Sequence, residues 1–531
     1  MYNRTQDRNN ATMIRNLILV PITLCLVIAS QQASAQSNAP MVLTPLTKQA
    51  TPTRPLVLGQ NMTAIDWHGI RGSRGSVFYD PKTHQLDPSW LPLLQAFPMR
   101  LLRWHWGNDY NWKNCVGPLD QRKPIKHDMW NAWFNTEPGL DEFLSSFGSL
   151  PQPPQISLIA SPFRPVDELA DLVAYCNATS GPMAKWRQDN GHALPYNVKI
   201  WEMGNEIDFK KRADVDVMRQ ESDKEKSEKM SVADYMQLVK PRIAAMKHVD
   251  PTIKIYVHAQ TAPWYNSNPD WPLWHQTLLK EMGDQIDGIV IHPYYDGYTV
   301  PICLRSVDQV LKDIKQLAPK DHPITVWVNE HARWVNYKNV EERPQSWSLQ
   351  GALSSADFLI ELMKRPGVGM ANYWCYGHRG PWRVINANWE DDATQKFGTA
   401  IHGMFRIFDQ ALLPIATPVQ VDDLNIDSHP RNYTYNVSAI MFSDPATQKL
   451  CLMTINRNET LAFDARITLP YLPNSLAKQW VLTGESLRST NVPLTPDATA
   501  VTQQVVQTQQ DANGSVTVTI PARSVALWRW E

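Results

Sequence analysis

Charge of one sign is missing from this chain. Its 531 residues carry 51 basic against 52 acidic side chains, a formal net charge of −1. That balance gives no electrostatic basis for a nucleic-acid partner or an anionic membrane surface. Cysteine is scarce as well, with 6 in the whole sequence. Cys115, Cys176, Cys303, Cys375 and Cys451 lie beyond the N-terminal leader described below, scattered and odd in number. The pattern excludes a disulfide framework and matches no metal-site spacing, so the thiols read as small buried hydrophobes with room for one bridge. No Gly-rich phosphate loop follows the first strand-like run, which argues against an open doubly wound sheet. No internal repeat is evident, and no metal or cofactor is expected.

Only one stretch is both long and apolar. Leu17 to Ala29, preceded by Arg15, runs toward Ala33-Ser34-Ala35 before Gln36. It is too short and too poorly flanked for a stable membrane span. A basic start, an apolar centre and a small-residue cleavage pattern are the marks of an export leader, so residues 1–35 are expected to be a signal peptide. Met13 offers a shorter, more typical start, and Cys25 follows Leu24 rather than a small residue, which speaks against a lipid anchor. The mature protein is expected to be exported, either secreted or periplasmic.

Residues 36–56, rich in Ser, Pro, Thr and Gln, read as a linker or an N-terminal strand. From 57 to 405, strand-like runs alternate with helix-like stretches. The strand candidates are Met99–Trp104, Gln155–Ala160, Val198–Glu202, Ile253–His258, Gly288–His292, Ile324–Val328 and Met370–Trp374. Pro165 to Cys176, Ser231 to His248 and Gln350 to Lys364 have helical patterning between them. Units recurring at roughly forty-residue spacing predict a parallel (β/α)8 barrel. From 406 to 531 the runs are short, alternating and separated by turn residues, which predicts an antiparallel β-sandwich. The polar runs Thr502-Gln503-Gln504 and Gln507 to Asp511 read as surface loops.

Two glutamates stand where strands run out into loops. Glu206 follows Val198-Lys199-Ile200-Trp201-Glu202-Met203-Gly204-Asn205, and Glu330 follows Ile324-Thr325-Val326-Trp327-Val328-Asn329. Catalytic groups of a barrel gather at the carboxyl ends of its strands. A carboxyl pair in one cleft is what glycosidic bond cleavage requires, one to protonate the leaving oxygen and one to attack the sugar carbon. Taken singly, Glu206 reads equally well as a helix cap. The pairing is what favours chemistry.

Several neighbours join this reading. Asn205 is placed to hold a sugar hydroxyl, and Gly204 permits a tight exit from the strand. Glu202, inside the strand, reads as a structural acid seeking a basic partner. Arg103 either binds sugar hydroxyls or pairs with Glu202. His292 and Tyr294 close the sixth strand and are placed to orient the nucleophile, whereas His258 reads as packing. The 21 Trp and 17 Tyr serve either core packing or stacking on sugar rings.

Longer segments carry a family resemblance. Leu102 to Pro118, Gly139 to Leu144, Tyr175 to Asn177, Gly351 to Leu359 and Met370 to Cys375 resemble glycoside hydrolase family 51, the α-L-arabinofuranosidases. The most specific stretch is Asn190 to Asp208, which is similar to that family's acid/base strand. The resemblance spans nearly the whole mature chain. It implies retaining hydrolysis with Glu206 as acid/base and Glu330 as nucleophile, on an oligo- or polysaccharide. It also implies substrate contacts from Asn205, Arg103, His68, Trp106, Asn108, His292, Tyr294 and Trp374. Two departures stand out. His68 falls where the family carries a glutamate at the end of strand one, and His105-Trp106-Gly107 replaces its usual Pro-Gly-Gly. Both predict an altered sugar subsite. The competing expectations are an endo-acting hydrolase of another glycan, such as an exopolysaccharide or β-glucan, and a non-catalytic carbohydrate-binding barrel.

Overall fold

Eight parallel strands close into a barrel in this computed structural model. They are Gly59–Thr63, Leu101–His105, Gln155–Ala160, Ile200–Met203, Lys254–His258, Gly288–Ile291, Thr325–Arg333 and Val368–Tyr373, here barrel strands one to eight. Each pairs with the next, and strand eight returns to strand one at Asn372↔Gly59 and Tyr373↔Gln60. The structure describes residues 40–531 except 73–74, 109, 128–131, 210–229, 262–268, 296–299, 337, 378–379, 387–395, 423–434, 472–475, 492–498 and 512. The expected signal peptide therefore lies outside the described residues.

Helices cover the outside of the ring, among them Val166–Asn177, Val232–Val249, Val300–Leu317 and Leu349–Met363. Val300–Leu317 shows why they dock: Val300, Leu304, Val307 and Val310 recur at helical spacing and are all buried. Strands buried on both faces need no polar alternation, which is why they stand out in the sequence as apolar runs. Strand one is the exception. Gly59-Gln60-Asn61-Met62-Thr63 is mostly polar, and its Asn61 amide donates to the carbonyls of Asn329 and Tyr373 across the barrel wall.

The barrel interior is layered. Leu101, Ile200, Tyr256, Val290, Trp327 and Met370 form an apolar plug. Two residues further along their strands, side chains of the same orientation are polar: Arg103, Glu202, His258, His292, Asn329 and Asn372. Strict alternation in strand seven would send Glu330 outward with Val326 and Val328, which pack in the outer core. The pairing with strand eight instead shifts register between Val328 and His331, and this irregularity re-aims Glu330 inward.

A second sheet follows the order Leu476–Thr483, Ser524–Trp530, Lys449–Asn456, Val437–Asp444, Ile415–Asp422, Met41–Pro45, Phe463–Thr468 and Ser515–Ile520. Its two halves fold over one core containing Leu43, Met441, Leu452, Ile467, Val518 and Trp528, which makes a sandwich. The opposite face of one half, with Ile440, Phe442, Met453 and Leu527, joins the barrel's outer core.

Of the two readings of residues 36–56, the strand is found: Met41–Pro45 lies inside the sandwich, paired antiparallel with Ile415–Asp422 and parallel with Phe463–Thr468. The polar run at Thr502, expected as a surface loop, is instead a strand. It belongs to strand Ala500–Gln507, which pairs along its length with Leu476–Thr483 at the sheet edge, where polar residues face solvent. All five described cysteines are free thiols, four of them buried. No helix among the described residues is long and apolar enough to cross a membrane.

Candidate active site

Arg103 organises the site from below. It is fully buried, and each of its five N–H groups meets an acceptor. Nε donates to Glu202 Oε2 (2.6 Å), and Nη2 to Glu202 Oε1 (2.8 Å) and Asn205 Oδ1 (2.7 Å). Nη1 donates to Asn61 Oδ1 (3.0 Å) and Glu330 Oε1 (2.8 Å). Burial alone would raise the Glu202 carboxyl. The Arg103 charge and the His258 hydrogen bond outweigh it and hold the group far below the usual carboxylate range. His258, expected as packing, is part of this network, its Nε2 lying 2.5 Å from Glu202 Oε1.

Glu206 leaves strand four through an unusual turn. Gly204 (φ 81) and Glu206 (φ 45) both adopt left-handed backbone, which for a non-glycine residue costs about 1–3 kcal/mol. The surroundings hold it there. The Gly204 N–H donates to Ala160 O (3.0 Å), the Asn205 N–H to Asn108 Oδ1 (2.6 Å), and Asn108 Nδ2 to Asn205 O (2.7 Å). Asn108, expected to touch substrate, commits its amide to fixing this backbone.

His292 stands between the two glutamates. Its Nδ1 is 3.0 Å from Glu206 Oε1 and 3.7 Å from Glu330 Oε2. Glu330 Oε2 also accepts from the Tyr294 hydroxyl at 2.8 Å. Tyr294 reaches it because Tyr294–Tyr295 pairs with the end of strand seven at Ala332 and Arg333. Carboxylate oxygens of Glu206 and Glu330 lie within 4.8 Å of one another. The side chain of Glu206 is 26% exposed and that of Glu330 6%, so the first faces the opening and the second the floor.

Burial raises Glu206, but the hydrogen bond and charge of His292, with His258 and Arg103 behind it, bring the carboxyl below its ordinary value. Burial lowers His292, but the charge of Glu330 and the bond and charge of Glu206 hold it above its ordinary value. Both shifts describe one shared proton seated on the imidazole. Burial and the two glutamate charges push the Tyr294 phenol up, so it remains a donor. Two donor groups, Glu202/His258/His292 and Glu206/His292/Glu330, are close enough to face a metal ion. Arg103 sets a permanent positive charge against both, which disfavours a cation in either.

A family model described as the α-L-arabinofuranosidase 1 domain matches residues 93–271. The chain is 26% identical over 216 residues to the intracellular exo-α-(1→5)-L-arabinofuranosidase of Streptomyces lividans, covering 39% of this chain and 30% of that one. It is 27% identical over 273 residues to intracellular exo-α-(1→5)-L-arabinofuranosidase 1 of Bacillus subtilis, covering 48% and 51%. It thus spans about a third and about half of these curated relatives' own length. A solved structure of a family 51 α-L-arabinofuranosidase from Bifidobacterium longum matches with TM-score 0.77 at 19% identity, covering 93% of this chain and 100% of that one. The chain is thus similar to α-L-arabinofuranosidases over part of its length and shares the fold of a family 51 structure.

Against the family 51 expectation, the structure brings together Glu206, Glu330, Arg103, Asn205, Asn108, His292 and Tyr294. Trp374 joins them through His105, whose ring stands edge-on to it with centroids 5.0 Å apart. Two expected contacts are corrected. His68 is fully buried at the end of helix Ala64–His68, against Trp104, Tyr110 and Phe134, with the Tyr110 hydroxyl at its Nε2 (3.2 Å). Trp106 stacks on Tyr110 at 4.2 Å and donates its indole N–H to Ile159 O (2.7 Å). A buried indole needs such an acceptor, and finding it in the wall turns the ring away from the cleft. Sequence reasoning gave no role in the site to His105, although the motif departure contained it. Its Nε2 lies 4.0 Å from Glu330 Oε1.

Proposed function

We propose that the chain is a retaining glycoside hydrolase of the arabinofuranosidase type. The carboxylate spacing carries this reading. Oxygens within 4.8 Å suit the about 5–5.5 Å of retaining pairs, not the about 6.5–9.5 Å that leaves room for an attacking water. Glu330, held by Arg103 on one oxygen and Tyr294 on the other, attacks the anomeric carbon. The bond to the leaving oxygen breaks as Glu206 delivers the proton it shares with His292. Water then attacks the glycosyl-enzyme, giving its proton to Glu206 and releasing the sugar and Glu330. With Asn205 Oδ1 held by Arg103, its Nδ2 is the half of the amide able to donate to a sugar hydroxyl.

The sugar subsite departs from the family pattern at His105, because an imidazole stands beside Glu330 where the resemblance implies proline. Activity on an aryl α-L-arabinofuranoside should therefore be weak, and better on some other glycan. The leader-like N-terminus directs export, which N-terminal sequencing of the mature protein would test. The mechanism is tested by NMR of the first product released from an aryl glycoside. Retained anomeric configuration is expected, and inversion would overturn the reading.

A further inference from the structure

The fold holds a second concavity that the reaction above does not use. It lies between the chain following barrel strand one, Arg71 to Pro81, and the chain following strand two, Arg122 to Pro138. Loops that follow barrel strands emerge at their carboxyl ends, the face on which Glu206 and Glu330 stand. Its volume of about 410 Å³ falls within the about 300–1,000 Å³ of small-ligand sites. One aromatic layer links it to the catalytic strands. Asn135 Nδ2 donates to the carbonyl of His68 (3.1 Å), His68 packs on Trp104, and Trp104 follows Arg103.

The polar groups in its lining are unevenly used. Arg122 spends four of its five N–H groups on Glu142 (2.8 and 2.9 Å) and on the carbonyls of Gly117 and Thr136. Glu137 is engaged on one oxygen only, where His84 Nδ1 (2.6 Å) and the Tyr79 hydroxyl (3.4 Å) both meet Oε1. Its Oε2 has no partner among the described residues, nor does the Arg71 guanidinium. A guanidinium only donates and a carboxylate only accepts, whereas each hydroxyl of a sugar does both. The two together suit neighbouring hydroxyls on one ring, through charge-assisted hydrogen bonds. Arg71 and Arg122 balance Glu137 and Glu142, so the lining is close to neutral and favours an uncharged sugar over a uronate. The Arg71 backbone is held by its N–H to the carbonyl of Trp133 (2.9 Å).

We propose that this cavity is a second saccharide site, holding a neutral glycosyl unit of the polymer whose arabinofuranosyl group is cleaved. It rests on the proposed activity for the identity of the polymer, not for binding as such. The walls are largely preformed: Tyr79 is buried edge-on to Trp67, and Asn135 is anchored, so little ordering is needed on binding.

The test uses the full chain carrying Glu330→Gln, so that turnover does not interfere, in affinity gels containing arabinan, arabinoxylan or polygalacturonate. Retardation by a neutral polymer is expected. Adding Arg71→Ala or Glu137→Gln should weaken it about tenfold or more. Arg71 has no side-chain partner to lose among the described residues, which keeps the test sound even if Glu137→Gln disturbs folding. With Glu330 restored, Arg71→Ala should lower kcat/KM on the polymer by a similar factor relative to that on an aryl glycoside. Unchanged retardation in both variants would overturn the site, as would equal losses on polymer and aryl glycoside. Retardation by polygalacturonate alone would overturn the neutral-sugar assignment. A wild type that cleaves no glycoside would remove the proposed activity, while the gels still judge the cavity.

Discussion

Nδ1 of His292 lies 3.0 Å from Oε1 of Glu206. The imidazole titrates above its ordinary 6.5 and the carboxyl below its ordinary 4.5, so the pair is fully charged between those values. The raised group contributes stability that is complete below pH 6.5 and lost as pH rises through the folded value. The lowered group contributes stability that is complete above pH 4.5 and lost as pH falls through the folded value. This pair should therefore give its full contribution to thermal stability between pH 4.5 and 6.5. His292→Gln should flatten the alkaline decline. Glycosylation needs the shared proton, so the basic limb of kcat/KM should lie above pH 6.5 and move downward in His292→Gln. An unmoved limb would place the acid proton elsewhere.

Glu330→Gln should abolish glycosyl-enzyme formation and leave the fold intact, since the change is nearly isosteric. Glu206→Ala should lose about 10²–10⁴-fold in rate on substrates with poor leaving groups. With a good leaving group, azide should restore product as the glycosyl azide, because Glu330 still attacks. Mass spectrometry of the product and initial rates with added azide check both statements.

Arg103→Ala would leave Glu202 and Glu330 buried without their cation. Breaking a buried pair from one side costs about 3–5 kcal/mol, read as a shift of the urea midpoint. Arg103→Lys keeps the charge but not the five-donor fork, so it should fold and lose activity. A Lys variant with full activity would show that the charge alone matters.

Asp357, on helix Leu349–Met363, ties the barrel to the sandwich. It accepts from the Tyr435 hydroxyl (2.8 and 2.9 Å) and Ser438 Oγ (2.7 Å), and pairs with Arg457 at 3.3 Å. Asp357→Ala should destabilise by about 3 kcal/mol or more, because the buried Ser438 and Arg457 and the half-buried Tyr435 lose their acceptor. Asp357→Asn should recover part of that. Thermal unfolding of the two variants beside wild type checks the order.

The strand-end glutamates were legible because apolar runs announce barrel strands and a carboxylate at their end breaks the pattern. The partnership of Arg103 with Glu202 was legible for a related reason, since a lone charge inside a strand must find a counter-charge. Strand one was not, as its polar residues serve amide-to-carbonyl bonds that no local pattern encodes. The register shift that turns Glu330 inward depends on how strands seven and eight pair, a relation between distant segments. His68 and Trp106 were misread because one-dimensional position next to a catalytic motif does not tell which side of a strand a ring packs on. His105, between Trp104 and Trp106 in the sequence, has the opposite orientation and is the one of these three rings that approaches Glu330.

The first described strand, Met41–Pro45, pairs Val42 with Asp422 and Met41 with Ala465. Emerging early from synthesis, it must stay unpaired until almost the whole barrel has been made. It then closes the gap between the two halves of the sandwich. Such a late, long-range closure is slow, and the waiting halves expose unpaired edges. A chain beginning at residue 57 would keep every residue of the catalytic network yet lack the seam that joins the sandwich. It should emerge as aggregate rather than as a smaller enzyme.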